Sequence, residues 1–254
     1  PSILCLYHRE SGKLEEEVSD MLANMECYDR LSGGHASGGE YLMEAEWYFN
    51  RGDFEDAEIS YHKAVNRAQT AENHSILLCT MFLQIRLAFI RGDAGAMLAI
   101  MENMRRQIGE TSEYQALQMV EICKMAFYAY LDQTVNLSEI LNPAEGQGIK
   151  LRFFTLPVFN IVCGRIMLNG GEYLKLIGSA DQFLSVAAFF PNLLGTIYTY
   201  IYLAAANSRI FREKEARESL QKALELALPD QLLMPFVENC DYIAPLLRDL
   251  SGRR

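Results

Sequence analysis

The residue types that perform acid–base, nucleophilic or metal chemistry are present in this 254-residue chain, but they are not arranged to do it. His8, His35, His62 and His74 are scattered, with no His-Glu-x-x-His run and no ligand pair at i, i+4, so neither a metal nor a cofactor is expected. Cys5, Cys27, Cys79, Cys123, Cys163 and Cys240 contain no Cys-x-x-Cys spacing. Each lies in or beside an apolar stretch, which predicts reduced core thiols and a reducing, cytoplasmic setting. The carboxylates Glu15, Glu16 and Glu17, and Asp53, Glu55 and Asp56, fall at helix starts, where they favour the helix dipole rather than catalysis. No serine or cysteine stands in a nucleophile motif, and the chain reads as no enzyme. The cluster from Gly33 to Gly39 offers backbone amides to a phosphate but lacks the Lys-Ser/Thr of a P-loop and a preceding strand. It reads as a flexible connector.

The sharper signal is a set of polar residues at regular spacing, and a repeat must position them. Arg51-Gly52-Asp53 recurs forty positions later as Arg91-Gly92-Asp93. Taking Gly12, Gly52, Gly92, Asp132, Gly171 and Phe211 as anchors, the steps are 40, 40, 40, 39 and 40. Five, nine and twelve residues after each anchor lies one helix face, occupied in the second unit by Ala57, Tyr61 and Ala64 and in the fourth by Leu137, Leu141 and Ala144. In the first unit the same offsets fall on Glu17, Met21 and Asn24. Seven before it stand Ala45, Ile85, Met125, Gly164 and Ala204, compact enough for close helix approach. Each unit is therefore a helix, a tight turn and a second helix. A hairpin cannot bury its face alone, so the units are expected to stack into an all-α solenoid of about six hairpins. One such array would span residues 1–254, ending in a tail helix over residues 231–250. Arg-Gly-Asp is explained by the turn, where glycine takes a positive φ and Asp caps the next helix, and not by adhesion.

In a stack of this kind the first helix of each hairpin lines the concave side. Six residues before the anchor stand Glu46, Arg86, Ala126, Arg165 and Ala205; two before it stand Asn50, Ile90, Tyr130, Asn169 and Arg209. With Tyr128, Tyr198 and Tyr202 these form a candidate polar and aromatic wall for a hydroxylated, anionic or aromatic small molecule: Glu46, Asn50, Arg86, Tyr128, Tyr130, Arg165, Asn169, Tyr198 and Tyr202. The alternative is that Glu46 and Arg86 simply pair across adjacent repeats.

The segment Gly52-Asp53-Phe54-x-x-Ala57-x-x-x-Tyr61-x-x-Ala64 resembles the tetratricopeptide (TPR) pattern, with Glu215-Ala216-x-x-x-Leu220-x-x-Ala223 a second, weaker match. A period of forty instead of about 34 points to a longer-helix variant, a TPR-like superhelix. Gly39-Glu40-Tyr41-Leu42, Gly171-Glu172-Tyr173-Leu174-Lys175-Leu176 and the tail Leu228-Pro229-Asp230, Met234-Pro235-Phe236-Val237-Glu238-Asn239 and Ile243-Ala244-Pro245-Leu246-Leu247 together resemble the sensor region of LuxR-type, MalT-like transcriptional activators. The resemblance implies effector sensing by the repeats, with an ATP-binding module before them and a helix-turn-helix domain after them. Neither a P-loop nor a basic recognition helix is found here.

Composition agrees with that division. Lys and Arg number 23 against 33 Asp and Glu, a formal charge of −10, which argues against direct nucleic-acid contact. Half of the residues are hydrophobic, enough for a globular core. Phe183 to Ser208 carries no charge, but Pro191-Asn192 splits it into two buried helices, 183–190 and 193–206, rather than a membrane span. No signal peptide is visible, and the opening Pro1-Ser2-Ile3-Leu4 reads as a cut inside a repeat. The incomplete first unit would leave an apolar edge for self-association. Expected partners are a small-molecule effector or a regulatory protein; a protein-interaction solenoid without any small ligand is the second reading.

Overall fold

The computed structural model describes residues 8–109, 114–132, 155–189 and 191–252. Among them all regular structure is helical: α1 (Leu14–Ala23), α2 (Met25–Ser32), α3 (Gly39–Arg51), α4 (Phe54–Thr70), α5 (His74–Ile90), α6 (Ala94–Gly109), α7 (Tyr114–Tyr130), α8 (Leu156–Asn169), α9 (Tyr173–Phe189), α10 (Leu193–Arg209), α11 (Glu213–Ala227), α12 (Met234–Val237) and α13 (Cys240–Ser251). A short 3-10 turn, Leu228–Asp230, joins α11 to the tail. Residues Leu137, Leu141 and Ala144 lie outside the described residues.

The turns obey one rule. Gly12, Gly52, Gly92, Asp132, Gly171 and Phe211 all have positive φ, between 52° and 90°. At four of them the same hydrogen-bond pair closes the helix. The amide of residue 52 donates to the carbonyl of Phe49 and the next amide to that of Tyr48, and residues 92, 171 and 211 repeat the pattern with their own carbonyls. This left-handed helix stop satisfies orphan carbonyls, and glycine adopts it without a Cβ clash. Asp93 then caps α6 through its Oδ1, which accepts the Ala96 amide at 2.8 Å. Asp53 departs from that expectation and pairs instead with Arg51 at 3.1 Å.

Consecutive first helices touch one another, α3 on α5, α5 on α7, α7 on α8 and α8 on α10, and α1, the second helix of the first unit, packs on α3. Each also packs on its hairpin partner, as in α3 with α4, α5 with α6, α8 with α9 and α10 with α11. Burial separates the two rows. Twelve of the 17 residues of α5 and of α10 are buried, but only four of the 17 in α4. The four form the stripe Ala57, Ser60, Ala64 and Ala68; Ala57 and Ala64 stand at the expected offsets, whereas Tyr61 is only half-buried and Ser60 takes the inward place beside it. Met97, Met101 and Met104 repeat it in α6, and Ala216, Leu220 and Ala223 in α11. Ala45, Ile85, Met125, Gly164 and Ala204 are all buried, and a methyl group on Gly164 would run into the Tyr202 ring. Pro191-Asn192 does separate two helices, and among the described residues no helix is long and apolar enough to cross a membrane.

Four expectations need correction. In the first unit the buried face of α1 is Leu14, Val18 and Met21, while Glu17 is half-buried and Asn24 is exposed. Residues 231–250 do not form one helix: Gln231 takes a left-handed φ of 56°, Pro235 starts the one-turn α12, and Asn239 separates it from α13. The connector at residues 33–39 is a bonded turn, not a loose one. Asp29 accepts the Gly34 amide, the side chain of Asn73 donates to the carbonyls of His35 and Ser37, and Gly38 packs on Ala64 and Ala68 too closely for a Cβ. Cys27 and Cys240 are exposed, whereas Cys79, Cys123 and Cys163 are buried. Burial pushes the Cys123 and Cys163 thiols up to about 12.

Phe211 holds its left-handed conformation although its side chain is 90% exposed and so contributes little packing. Phe211→Gly is expected to stabilise the chain by about 1 kcal/mol in urea denaturation, and Gly92→Ala to destabilise it by a similar amount.

Candidate functional site

The tail after α11 does not lie on the outside. Helix α12 packs on both α3 and α10, and α13 packs on α10 and α11. The segment thus enters the space between the first-helix row of the early units and that of the late ones. It carries a charge with it: Glu238 is only 4% exposed.

Arg86 of α5 and Arg165 of α8 are each 5% exposed, and a buried guanidinium is tolerated only when paired. Both find partners in the tail, and Arg165 Nη2 also meets Asp132 Oδ1 at 3.5 Å, at the turn after α7. Arg86 Nε donates to Glu238 Oε1 at 2.9 Å, and Nη2 reaches the Tyr198 hydroxyl at 3.2 Å. The Tyr198 hydroxyl in turn donates to Glu238 Oε2, so both carboxylate oxygens are engaged. The Arg86 guanidinium also lies 4.4 Å from the centroid of the Phe49 ring. Arg165 Nη1 donates to the main-chain oxygen of Glu238 at 2.6 Å and to Asn239 Oδ1 at 3.1 Å, and its guanidinium sits 5.0 Å from the Tyr242 ring. Asn239 is itself held by donating to the carbonyl of Pro235 at 2.8 Å.

These surroundings set the protonation states. Burial works against the charged form of Arg86, but Glu238 outweighs it and holds the guanidinium well above its ordinary value. Burial raises the Tyr130, Tyr198 and Tyr202 hydroxyls, and the Glu238 carboxylate adds to this. All three therefore stay neutral at physiological pH and are available as donors.

Most of the wall expected from the sequence does gather here. Tyr130, Arg165, Tyr198 and Tyr202 line one cavity together with Glu238 and Asn239. Tyr202 donates to the carbonyl of Ile161 at 2.8 Å, and Tyr130 stacks on Phe89 with centroids 4.5 Å apart. Asn169 donates to the carbonyl of Ala129 at 2.7 Å and accepts from the Tyr242 hydroxyl at 2.7 Å. Asn50 donates to the carbonyl of Glu46, and its own carbonyl accepts the Leu233 amide at 2.7 Å. Glu46 is buried on α3, but the carboxylate that pairs with Arg86 is that of Glu238. Tyr128, partly buried and edge-on to Phe127, is not among the residues lining this cavity.

At this level the tail occupies the expected groove, and among the described residues the cavity lined by Tyr130, Arg165, Tyr198, Tyr202, Glu238 and Asn239 is about 20 Å³, room for roughly one water molecule. Glu238, Asn239, Phe49 and Tyr242 were not singled out by the spacing. The available signal was the Glu238-Asn239 pair directly after the apolar run from Leu232 to Val237. Among the described residues no group of three His, Cys, Asp or Glu side chains is arranged to hold a metal ion. No protein-family model matches the chain, and no curated protein shows significant similarity to it.

A second anchor ties the tail to the start of the chain. Asp230 Oδ1 accepts the Leu14 amide at 3.0 Å, and Oδ2 accepts the Gly12 amide at 2.8 Å and the His8 ring at 2.9 Å. Asp230 thus caps α1 from across the molecule. Leu193 donates to the carbonyl of His8, and Ser11 to that of Leu226, so residues 8–14 are tied both to the start of α10 and to residues 226–230. Burial alone would raise the Asp230 carboxyl, but His8 and the two amides prevail and hold it below the usual carboxylate range. A carboxyl depressed on folding contributes stability that is complete above the unfolded value of about 4 and is lost as pH falls through the folded one. Asp230→Asn is therefore expected to cost about 1–3 kcal/mol at neutral pH, and its stability should fall less steeply than the parent's between about pH 5 and pH 2. Denaturation across that pH range checks both.

Proposed function

We propose that this chain is the effector-sensing region of a LuxR-type, MalT-like transcriptional activator, built as a single TPR-like superhelix. The forty-residue period and the shared turn geometry support the repeat architecture. The observation that carries the functional reading is the buried constellation of Arg86, Arg165 and Tyr198 on three first helices, α5, α8 and α10, closed by Glu238 of the tail. It joins a polar interior, suited to a small molecule, to the segment that leads toward a DNA-binding domain in the family the tail resembles. Effector binding in the interior would shift the tail between docked and released states, and DNA contact would be made elsewhere in the full protein. The buried thiols suit a reducing cytoplasm. The region itself performs no catalysis.

A second reading has its own support. The interior already holds a peptide, the chain's own Met234-Pro235-Phe236-Val237-Glu238-Asn239, which favours a scaffold that accepts a partner's segment in the same place.

Thermal-shift screening against a metabolite library tests the first reading. One chemical class is expected to raise the melting temperature by several degrees at saturating concentration, with the shift reduced in Arg86→Ala and Arg165→Ala. A response unchanged in both variants would place the effector outside the interior. Absence of any response, alongside capture of a protein partner, would favour the scaffold.

A further inference from the structure

We propose that Arg86, Tyr198 and Arg165 form a carboxylate-binding site that the chain's own Glu238 occupies, and that a small carboxylic acid is the effector that competes for it. The inference rests on the reading of the interior as the effector site, and it names the ligand class and the means of control.

The cradle has the chemistry of a carboxylate receptor. One guanidinium and one phenolic hydroxyl address the two oxygens of a single carboxylate, Arg86 on Oε1 and Tyr198 on Oε2. The donors stand on α5 and α10, full-length helices of 17 residues, so the receptor half is rigid. The occupant is delivered by far less regular chain: a 3-10 turn, a left-handed Gln231 and a one-turn helix of four residues.

The site also has unused capacity. Arg165 Nε is buried with no hydrogen-bond partner, although Nη1 of the same guanidinium binds the tail. Arg165 lines the small cavity together with Tyr198 and Glu238. Glu238 leaves that donor unsatisfied. A free acid is not bound by the geometry of the tail, and a second oxygen or a second carboxyl group would have this donor available to it.

Competition also fixes the concentration scale. A tethered side chain acts at an effective concentration of millimolar order, so a displacing acid must reach a comparable free concentration or gain further contacts. Release of Glu238 would remove the main partner of Arg86 in the tail, and the Leu233–Asn50 bond would be left as one of the few polar ties of α12.

Glu238→Ala opens the cradle to acetate, the simplest probe. At about 50 mM acetate, the variant's melting temperature is expected to rise by several degrees above that in sodium chloride of equal ionic strength. The parent and the double variant Glu238→Ala/Arg86→Met should not respond. An equal response in all three proteins, or none in Glu238→Ala, overturns the proposal. If Glu238→Ala does not fold, the parent protein decides. Succinate, but not sodium chloride, should accelerate hydrogen–deuterium exchange of amides 231–243, and unchanged protection overturns the proposal. A neutral metabolite that loosens this segment where succinate does not would overturn the carboxylate class and leave the effector reading standing. If no compound loosens it, both fail.

Discussion

Burying two guanidinium groups between packed helices is unfavourable unless each meets an acceptor of matching charge or geometry, and residue 238 supplies that acceptor twice. Its side chain neutralises Arg86 and its backbone carbonyl receives Arg165. The two arginines come from units separated in sequence by almost eighty residues, and Tyr198 from a third. The tail thus links distant first helices, in addition to the direct bond between Arg86 and Tyr198. Without it, the most buried row of the structure would surround charged groups lacking their main partners.

The recurring left-handed turn makes this arrangement reachable. Each left-handed turn reverses the chain at the same point of the forty-residue unit, so positions six residues before the turn recur on consecutive first helices. Alanine at residues 126 and 205 leaves space at that level, while Arg86 and Arg165 project charge into it. At the other end of the tail, Asp230 caps α1 and brings residues 8–14 against residues 226–230. Two carboxylates eight positions apart therefore hold the tail, one at the interior and one at the start of the chain.

The hairpins were legible because their signals are local. Glycine at the turn and a three-position stripe after it both follow from backbone geometry within a few residues. Asp132 and Phe211 take the same conformation and were found by the step alone, since neither residue type marks such a turn by itself. The shifted face of α1 was missed where Glu17 and Asn24 occupied the offsets filled elsewhere by apolar residues. Of the candidate wall, Arg86, Tyr130, Arg165, Tyr198 and Tyr202 gather around Glu238, whereas Tyr128 does not. Periodicity shows which side chains share a face, but not what lies opposite, and Arg86 meets a glutamate 152 positions away. The broken tail was misread for a related reason: Pro235 is compatible with a helix start, and the break at Asn239 becomes necessary only when residue 238 has to reach two arginines.

The central claim is that the tail is held inside by the charge pair between Arg86 and Glu238, not merely by apolar packing of Met234 and Phe236. A double-mutant cycle with Arg86→Met and Glu238→Gln, read as unfolding free energy, tests it most directly. The account predicts that the two substitutions are strongly non-additive, with a coupling energy of at least about 1.5 kcal/mol. Effects that add to within about 0.5 kcal/mol would contradict it.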